Sequence, residues 1–327
     1  MEEYQKFFRI GQYTDGKAMT GCTVILCEDG VTGGVSVRGG SPNTRDTDAL
    51  KSENNRKFVH GVTLSGGSAF GLAANVGVVE FLEENKIGRD MGITFVPNVV
   101  GASLFDLRIG QSDVRPDSQA GRKACEQAFS GQLFQSGNYG AGTGCSVGTI
   151  NGEKNAMKGG IGLHTMRHEK LWVTAVIAVN AVGDVYDETI GKIIAGARKP
   201  GESRVGFSER LFLEHYQNEQ ALFDGNTVIG CVMTNAAFSK AKMNKLADIS
   251  HNGIARAIRP AHTTYDGDTL FVLGANQIEA SFEAVSILAV EAVRQAIVKG
   301  TKAATTYGNY LAYQDIEKLV VLFLSHH

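Results

Sequence analysis

The run from Gly225 to Asn235, Gly-Asn-Thr-Val-Ile-Gly-Cys-Val-Met-Thr-Asn, does most to limit what this chain can become. Residues 228–234 are apolar, rich in β-branched side chains and bounded by turn formers, so they predict a buried strand. Asp224-Gly225-Asn226 supplies a turn in front of it, and Thr227 opens it. A hydroxyl residue at that place has a second reading. If the Asn226–Thr227 peptide bond were cut, Thr227 would carry a free α-amine beside its own hydroxyl. Nucleophile and base would then come from one residue, as in autocatalytic amide hydrolases. An ordinary turn and strand start suits the same residues, and the run alone leaves both readings open.

The surroundings predict a layered fold. Residues 22–26 and 34–37 read as strands around the turn Glu28-Asp29-Gly30, and 59–64 as a further apolar strand. Ser65-Gly66-Gly67-Ser68 then opens a helix, with Ala69, Leu72, Ala73, Val76, Val79 and Leu82 at helical spacing. Residues 93–96 form a short strand halted by Pro97. Residues 118–129 read as an amphipathic helix. Residues 173–179 are a strongly apolar strand ended by Asn180, with 183–186 expected to continue it as a hairpin. After residue 234 come a helix over 239–256 capped by Ser239, a strand over 270–273 and a helix over 280–299. The Gly-, Asn-, Ser- and Thr-rich stretch 137–162 is too long for a simple turn. The polar stretch 200–225 reads as a surface linker leading to Asn226. Strands and helices fall in blocks rather than in strict alternation. That favours an α+β fold with sheets packed together and helices outside.

Bulk properties exclude several classes. A chain of 327 residues is ample for one large domain or two small ones. A net charge of −2 gives no electrostatic reason to bind nucleic acid or an anionic membrane. No apolar run is long enough to span a bilayer. The charged start Met1-Glu2-Glu3-Tyr4-Gln5-Lys6 predicts no secretory leader. Five cysteines (Cys22, Cys27, Cys125, Cys145, Cys231) lack metal-ligand spacing and sit in apolar or Gly-rich runs. They read as reduced, as in a cytoplasmic protein. Glycine, at 40 of 327 residues, is well above the usual share. It falls in separate loops, where backbone must pass close to backbone or ligand.

Four separated motifs occur together: Val37-Arg38-Gly39-Gly40-Ser41-Pro42, the run from Leu64 to Leu72, Asn226-Thr227, and the run from His262 to Phe271. In this order they resemble the DmpA-type aminopeptidases (L-aminopeptidase/D-esterase and β-peptidyl aminopeptidases), which are N-terminal-nucleophile hydrolases. The likeness is strongest to the threonine branch, which includes the endo-type nylon-oligomer hydrolase, and spans about residues 8–300. The resemblance implies a four-layer α-β-β-α sandwich, as in the ornithine acetyltransferases. It implies a single domain that cuts itself into 1–226 and 227–327. The expected substrates are small peptides or oligoamides, with no cofactor or metal, and the expected assembly is a homotetramer of processed protomers.

Thr227 is then the expected nucleophile, and Thr234, inside the same strand, is not. Asp266 and Asp268 flank Gly267. Asp268 is expected to orient the Thr227 amine or hydroxyl, and the paired carboxylates should raise one another's pKa so that one can donate a proton. A plain Asp-Gly-Asp turn fits the same residues. The family uses an Asn at the position of Asn180 to hold a developing oxyanion, although Asn also simply ends strands. The backbone N–H groups of Ser65, Gly66, Gly67 and Ser68 are expected to line the substrate site at a helix start, or merely to cap it. His262 reads as support for its loop. His164 and His168 lack a third ligand for a metal. Two positions depart from the family. Phe105, at the substrate site, stands where relatives carry an oxyanion-supporting Tyr. Thr149 stands where they carry a Lys, with Lys154 or Lys158 as substitutes. These departures keep two other readings open: an acyltransferase like the ornithine acetyltransferases, and a fold relative with little or no turnover.

Overall fold

The structure is a computed structural model and describes residues 2–199, 205–214 and 225–316. Nine strands make one mixed sheet: Arg9–Asp15 (β1), Thr20–Val37 (β2), Asn43–Arg45 (β3), Phe58–Ser65 (β4), Val99–Ser103 (β5), Gly160–His168 (β6), Leu171–Asn180 (β7), Thr227–Ala236 (β8) and Thr269–Ile278 (β9). The spatial order is β6-β7-β8-β9-β2-β4-β5-β3, with β1 on the free side of β2. Among the described strands of this sheet, only β8–β9 and β4–β5 are parallel pairs. Each needs a crossover. Between β8 and β9 it is the helix Lys240–Ala257 (α3), and between β4 and β5 the helix Ala74–Glu84 (α1). Two further helices are Ser118–Phe129 (α2) and Phe282–Ala303 (α4).

Side-chain alternation shows how this sheet becomes two layers. On β7, β8 and β9 one face carries Val173, Ala175, Ile177, Val179, Val228, Val232, Leu270 and Val272, which pack against α3 and α4. The opposite face carries Val176, Ala178, Ile229, Cys231, Met233, Phe271 and Leu273. These meet Ile25, Cys27, Val62, Leu64, Val100 and Ala102 from β2, β4 and β5. The outer face of that second layer, with Cys22, Val24, Leu26 and Val99, is covered by α1 and α2. The result is α-β-β-α, with β2 running through both layers. Its first part pairs with β1 and β4 and its last part with β9. All ten residues of β7 and all ten of β8 are buried, as their unbroken apolar runs require.

Several expectations change in detail. The two strands expected at 22–26 and 34–37 are one strand of 18 residues, because the chain passes residues 27–30 as an irregularity rather than a reversal. The helix after Ser68 is one turn, Ser68–Gly71, then a break before α1. Residues 183–186 do not form a hairpin with β7. Asp184–Asp187 instead pairs with Lys192–Ala195 and Ile258–Arg259 in a separate small sheet. The hairpin partner of β7 is β6, which starts inside the stretch read as a Gly-rich loop. Strand β1 was not expected either. The linker expected over 200–225 lies outside the described residues except for 205–214 and Gly225. Within it Ser208–Glu214 is helical, and Leu211 and Phe212 pack on Ile150, Val182 and Ala197.

Candidate active site

Thr227 lies at the first position of β8, paired with Asn180 at the last position of β7. Both are buried, as are Asn226, Asp266 and Asp268. The loop between α3 and β9 comes up beside this strand end, and Asn226 bridges to Asp266. Two donors converge on the Asn226 carbonyl oxygen: the Thr227 hydroxyl, in a very short contact, and the Gly267 N–H at 2.9 Å. The Asn226 side chain accepts from Thr149 Oγ1 at 3.0 Å.

Gly267 can stand there only because it lacks a side chain. A Cβ would lie 2.7 Å from Ser41 O and 2.8 Å from Thr227 Oγ1. The Arg38–Ser41 segment grips the same loop. Arg38 N–H and Gly39 N–H donate to the Asp268 carbonyl at 2.9 and 3.3 Å, and Ser41 N–H to that of Asp266 at 2.8 Å. A Cβ on Gly39 would come within 2.3 Å of Asp266 O and Asp268 N. The paired glycines are thus a backbone-on-backbone contact, a role the motif itself did not disclose.

The two carboxylates have different partners. Asp266 Oδ2 accepts from the Thr263 N–H at 3.0 Å and the Thr263 hydroxyl at 2.6 Å. Burial first, and then the charge of Asp268, push the Asp266 carboxyl well above the usual carboxylate range, so it favours the protonated form. Asp268 Oδ1 accepts from the Val228 N–H at 2.8 Å, one residue past the expected contact with Thr227. Its Oδ2 meets His262 through the backbone N–H at 3.1 Å and through ring Nδ1 at 2.8 Å. His262 therefore supports the loop by holding Asp268 directly. Its ring also packs edge-on against His251.

Asn180 is held at both ends of its amide. Its Nδ2 donates to Phe105 O at 2.9 Å, and its Oδ1 accepts from Ser146 N–H at 2.9 Å. Phe105, Asp106, Ser146, Thr149, Glu153, Tyr310, Gly225 and Asn226 are among the residues lining a small cleft partly open to solvent. Ser65, Gly66, Gly67 and Ser68 stand behind Asp106 rather than in that lining. The N–H groups of the last three already have partners: Gly66 donates to Gly21 O, Gly67 to Asp106 Oδ1 and Ser68 to Leu104 O, while Ser65 Oγ donates to Gly71 O. Gly66 admits Asp106, whose Oδ2 would lie 1.9 Å from a Cβ there. Burial pushes the Asp106 carboxyl up to about 6.

Lys158 is fully buried, and its ammonium donates to the carbonyls of Cys145, Gly159 and Gly142. Burial brings its pKa down to about 8. Lys154 is exposed. Cys145 is a core thiol that burial pushes up to about 12, which disfavours the thiolate. His164 and His168 lie on β6. Among the described residues no group of three or more His, Cys, Asp or Glu could hold a metal ion.

Known proteins share both sequence and fold with this chain. Residues 8–311 match the model of peptidase family S58. An uncharacterized aminopeptidase of Mycobacterium leprae is 39% identical over 276 residues, 80% of this chain and 72% of that protein. The 6-aminohexanoate-oligomer endohydrolase of Paenarthrobacter ureafaciens is 31% identical over 264 residues, 80% of this chain and 70% of that protein. Among solved structures, a Burkholderia sp. beta-aminopeptidase superposes with a TM-score of 0.69 at 17% identity, covering 98% of this chain and 92% of that one. The L-aminopeptidase D-Ala-esterase/amidase of Ochrobactrum anthropi gives 0.67 at 18% identity, with the same coverage. The fold is the DmpA variant of the N-terminal-nucleophile hydrolase fold. The chain belongs to peptidase family S58, the DmpA family, and is a hydrolase of amide bonds.

Proposed function

We propose that this hydrolase cuts its own Asn226–Thr227 bond and then hydrolyses small peptides or oligoamides through an acyl-enzyme on Thr227. The observation that carries this reading is the pair of donors on the Asn226 carbonyl oxygen, the Thr227 hydroxyl and the Gly267 N–H. The proposed attacking hydroxyl contacts the oxygen of the carbonyl it would attack. A backbone donor meets the oxygen that becomes negative in the tetrahedral intermediate, and such a donor is worth about 3 kcal/mol.

In the first stage Thr227 Oγ bonds to the Asn226 carbonyl carbon. The carbon–nitrogen bond breaks, and the hydroxyl proton passes to the departing amine. Water hydrolyses the resulting ester, leaving a carboxylate on Asn226 and a free Thr227. The chain becomes fragments 1–226 and 227–327 of one domain. In the second stage the Thr227 amine takes the hydroxyl proton as Oγ attacks a substrate amide. Asp268 fixes the first turn of strand beside that amine through Val228, and protonated Asp266 is the neighbouring acid. The second amide proton of Asn180 is assigned to the substrate oxyanion, and the cleft beside Phe105 to the acyl group. The names of the relatives, aminopeptidases and an oligoamide endohydrolase, support the substrate class. The same reading gives a cytoplasmic homotetramer of processed protomers, which light scattering on the purified protein tests.

The test is a substrate panel of α- and β-amino p-nitroanilides and short nylon-type amides, with acetyl-ornithine plus glutamate as the acyl-transfer control. Wild type should hydrolyse at least one amide and should not transfer acetyl. Thr227→Ala should be folded and inactive on all of them. Hydrolysis retained by Thr227→Ala would remove Thr227 as the nucleophile.

A further inference from the structure

Asn226 carries the bond proposed to break, yet its own side chain is almost unanchored. The residue is 3% exposed. Among the described residues its buried Nδ2 has no hydrogen-bond partner, and its Oδ1 accepts one bond, from Thr149 Oγ1 at 3.0 Å. A buried carboxamide with one bond can change rotamer if that bond is lost, and because rotamer and backbone dihedrals are coupled, the ψ angle that aims the Asn226 carbonyl is then held less firmly. Thr149, by contrast, is set by its backbone. Gly148 before it has φ +70, and a Cβ there would come within 2.0 Å of Ala197 N, so only glycine fits. The Gly148 N–H donates to the carbonyls of Ala181 and Gly183, each at 3.1 Å. Ala181 directly follows Asn180, the strand partner of Thr227. A short, stiff path therefore runs from the end of β7 to the Thr149 hydroxyl and on to the Asn226 carboxamide.

We infer that Thr149 is a positioning residue for self-cleavage: its hydroxyl fixes the Asn226 side chain and so keeps the Asn226 carbonyl under the Thr227 hydroxyl and the Gly267 N–H. Thr149 does not touch the reacting atoms and acts through Asn226. The inference rests on the self-cleavage reading above.

Cleavage followed by denaturing mass spectrometry from expression onward tests it. Thr149→Val should slow cleavage about tenfold or more, as expected for losing a buried hydrogen bond that positions a reacting group. Thr149→Ser, which restores the hydroxyl, should cut within about twofold of wild type. Melting curves should be alike for both. From the other side, Asn226→Asp keeps the acceptor and should cut faster than Asn226→Leu, which removes it. Thr149→Val combined with Asn226→Leu should be little slower than the slower single variant. Thr149→Val cut at the wild-type rate, Thr149→Ser as slow as Thr149→Val, or fully additive effects would overturn the inference. If Thr149→Val does not fold, the Asn226 pair decides, and equal rates for Asp and Leu overturn it. A wild-type chain that stays whole would sink the self-cleavage reading as well, whereas fast cleavage of Thr149→Val in a cut wild type sinks only this inference.

Discussion

Gly267 contributes two things at once, a donor to the Asn226 carbonyl and the absence of a Cβ against Thr227 Oγ1. Gly267→Ala should therefore remove self-cleavage while leaving a folded chain, read as one intact mass with a cooperative melt. Asp266 makes a prediction of another kind. Its folded pKa is raised by burial and by Asp268, so the folded chain holds a proton that the unfolded chain has released. Across the interval from the ordinary carboxylate value, about 4, up to the raised folded value, the folded state binds more protons. Stability must fall as pH rises through that interval. Asp266→Asn should flatten that fall in a plot of melting temperature against pH. Some slope should remain, because Asp106 and Asp184 are shifted in the same direction. At this scale the sequence disclosed residue types better than contacts. Asp266, Asp268, Asn180 and Thr227 are named through the family resemblance, and the structure brings them to one strand end. The bond from Asp268 to Val228, the ring of His262 on Asp268 and the hydroxyl of Thr149 on Asn226 join residues 40, 6 and 77 positions apart, and no local pattern encodes them.

Elements were legible where one period dominates. The unbroken apolar runs of β7 and β8, and the helical stripes of α3 and α4 with the Ser239 cap, gave their own identity. Strand β6 was hidden by its composition. Its first residues are Gly160, Ile161 and Gly162, and glycine weakens a strand signal. The structure supplies the reason for those glycines. A Cβ on Gly162 would lie 2.1 Å from Ala296 O and 2.5 Å from Gly300 N, so β6 and α4 touch backbone to backbone. Gly162→Ala should push α4 off the sheet and cost about 1–3 kcal/mol by denaturant unfolding. Self-cleavage should persist, because this contact is with the far edge strand rather than with β8. Gly39→Ala makes the opposite case. Its Cβ would strike the backbone of the 266–268 loop, so cleavage should fail before stability does, as a cleavage assay beside a melting curve will show.

The whole molecule is built so that a cut at Asn226–Thr227 need not divide it. Strands β8 and β9 follow the cut, and they are flanked on one side by β7 and on the other by β2, both from before it. The core between the layers likewise draws Ile229, Cys231 and Phe271 from one fragment and Ile25, Val62 and Val100 from the other. The two fragments should elute together on native size exclusion, melt in one transition and part only in denaturant. The four-layer arrangement was foreseeable through the family resemblance rather than from periodicity, since a strand that runs through both layers looks from its sequence like two. The most direct measurement is denaturing mass spectrometry of the purified wild-type chain with N-terminal sequencing of its smaller fragment. The account predicts two masses that meet at Asn226/Thr227 and a sequence beginning Thr-Val-Ile-Gly-Cys. A single intact mass after prolonged incubation, or a fragment starting at any other residue, would contradict it.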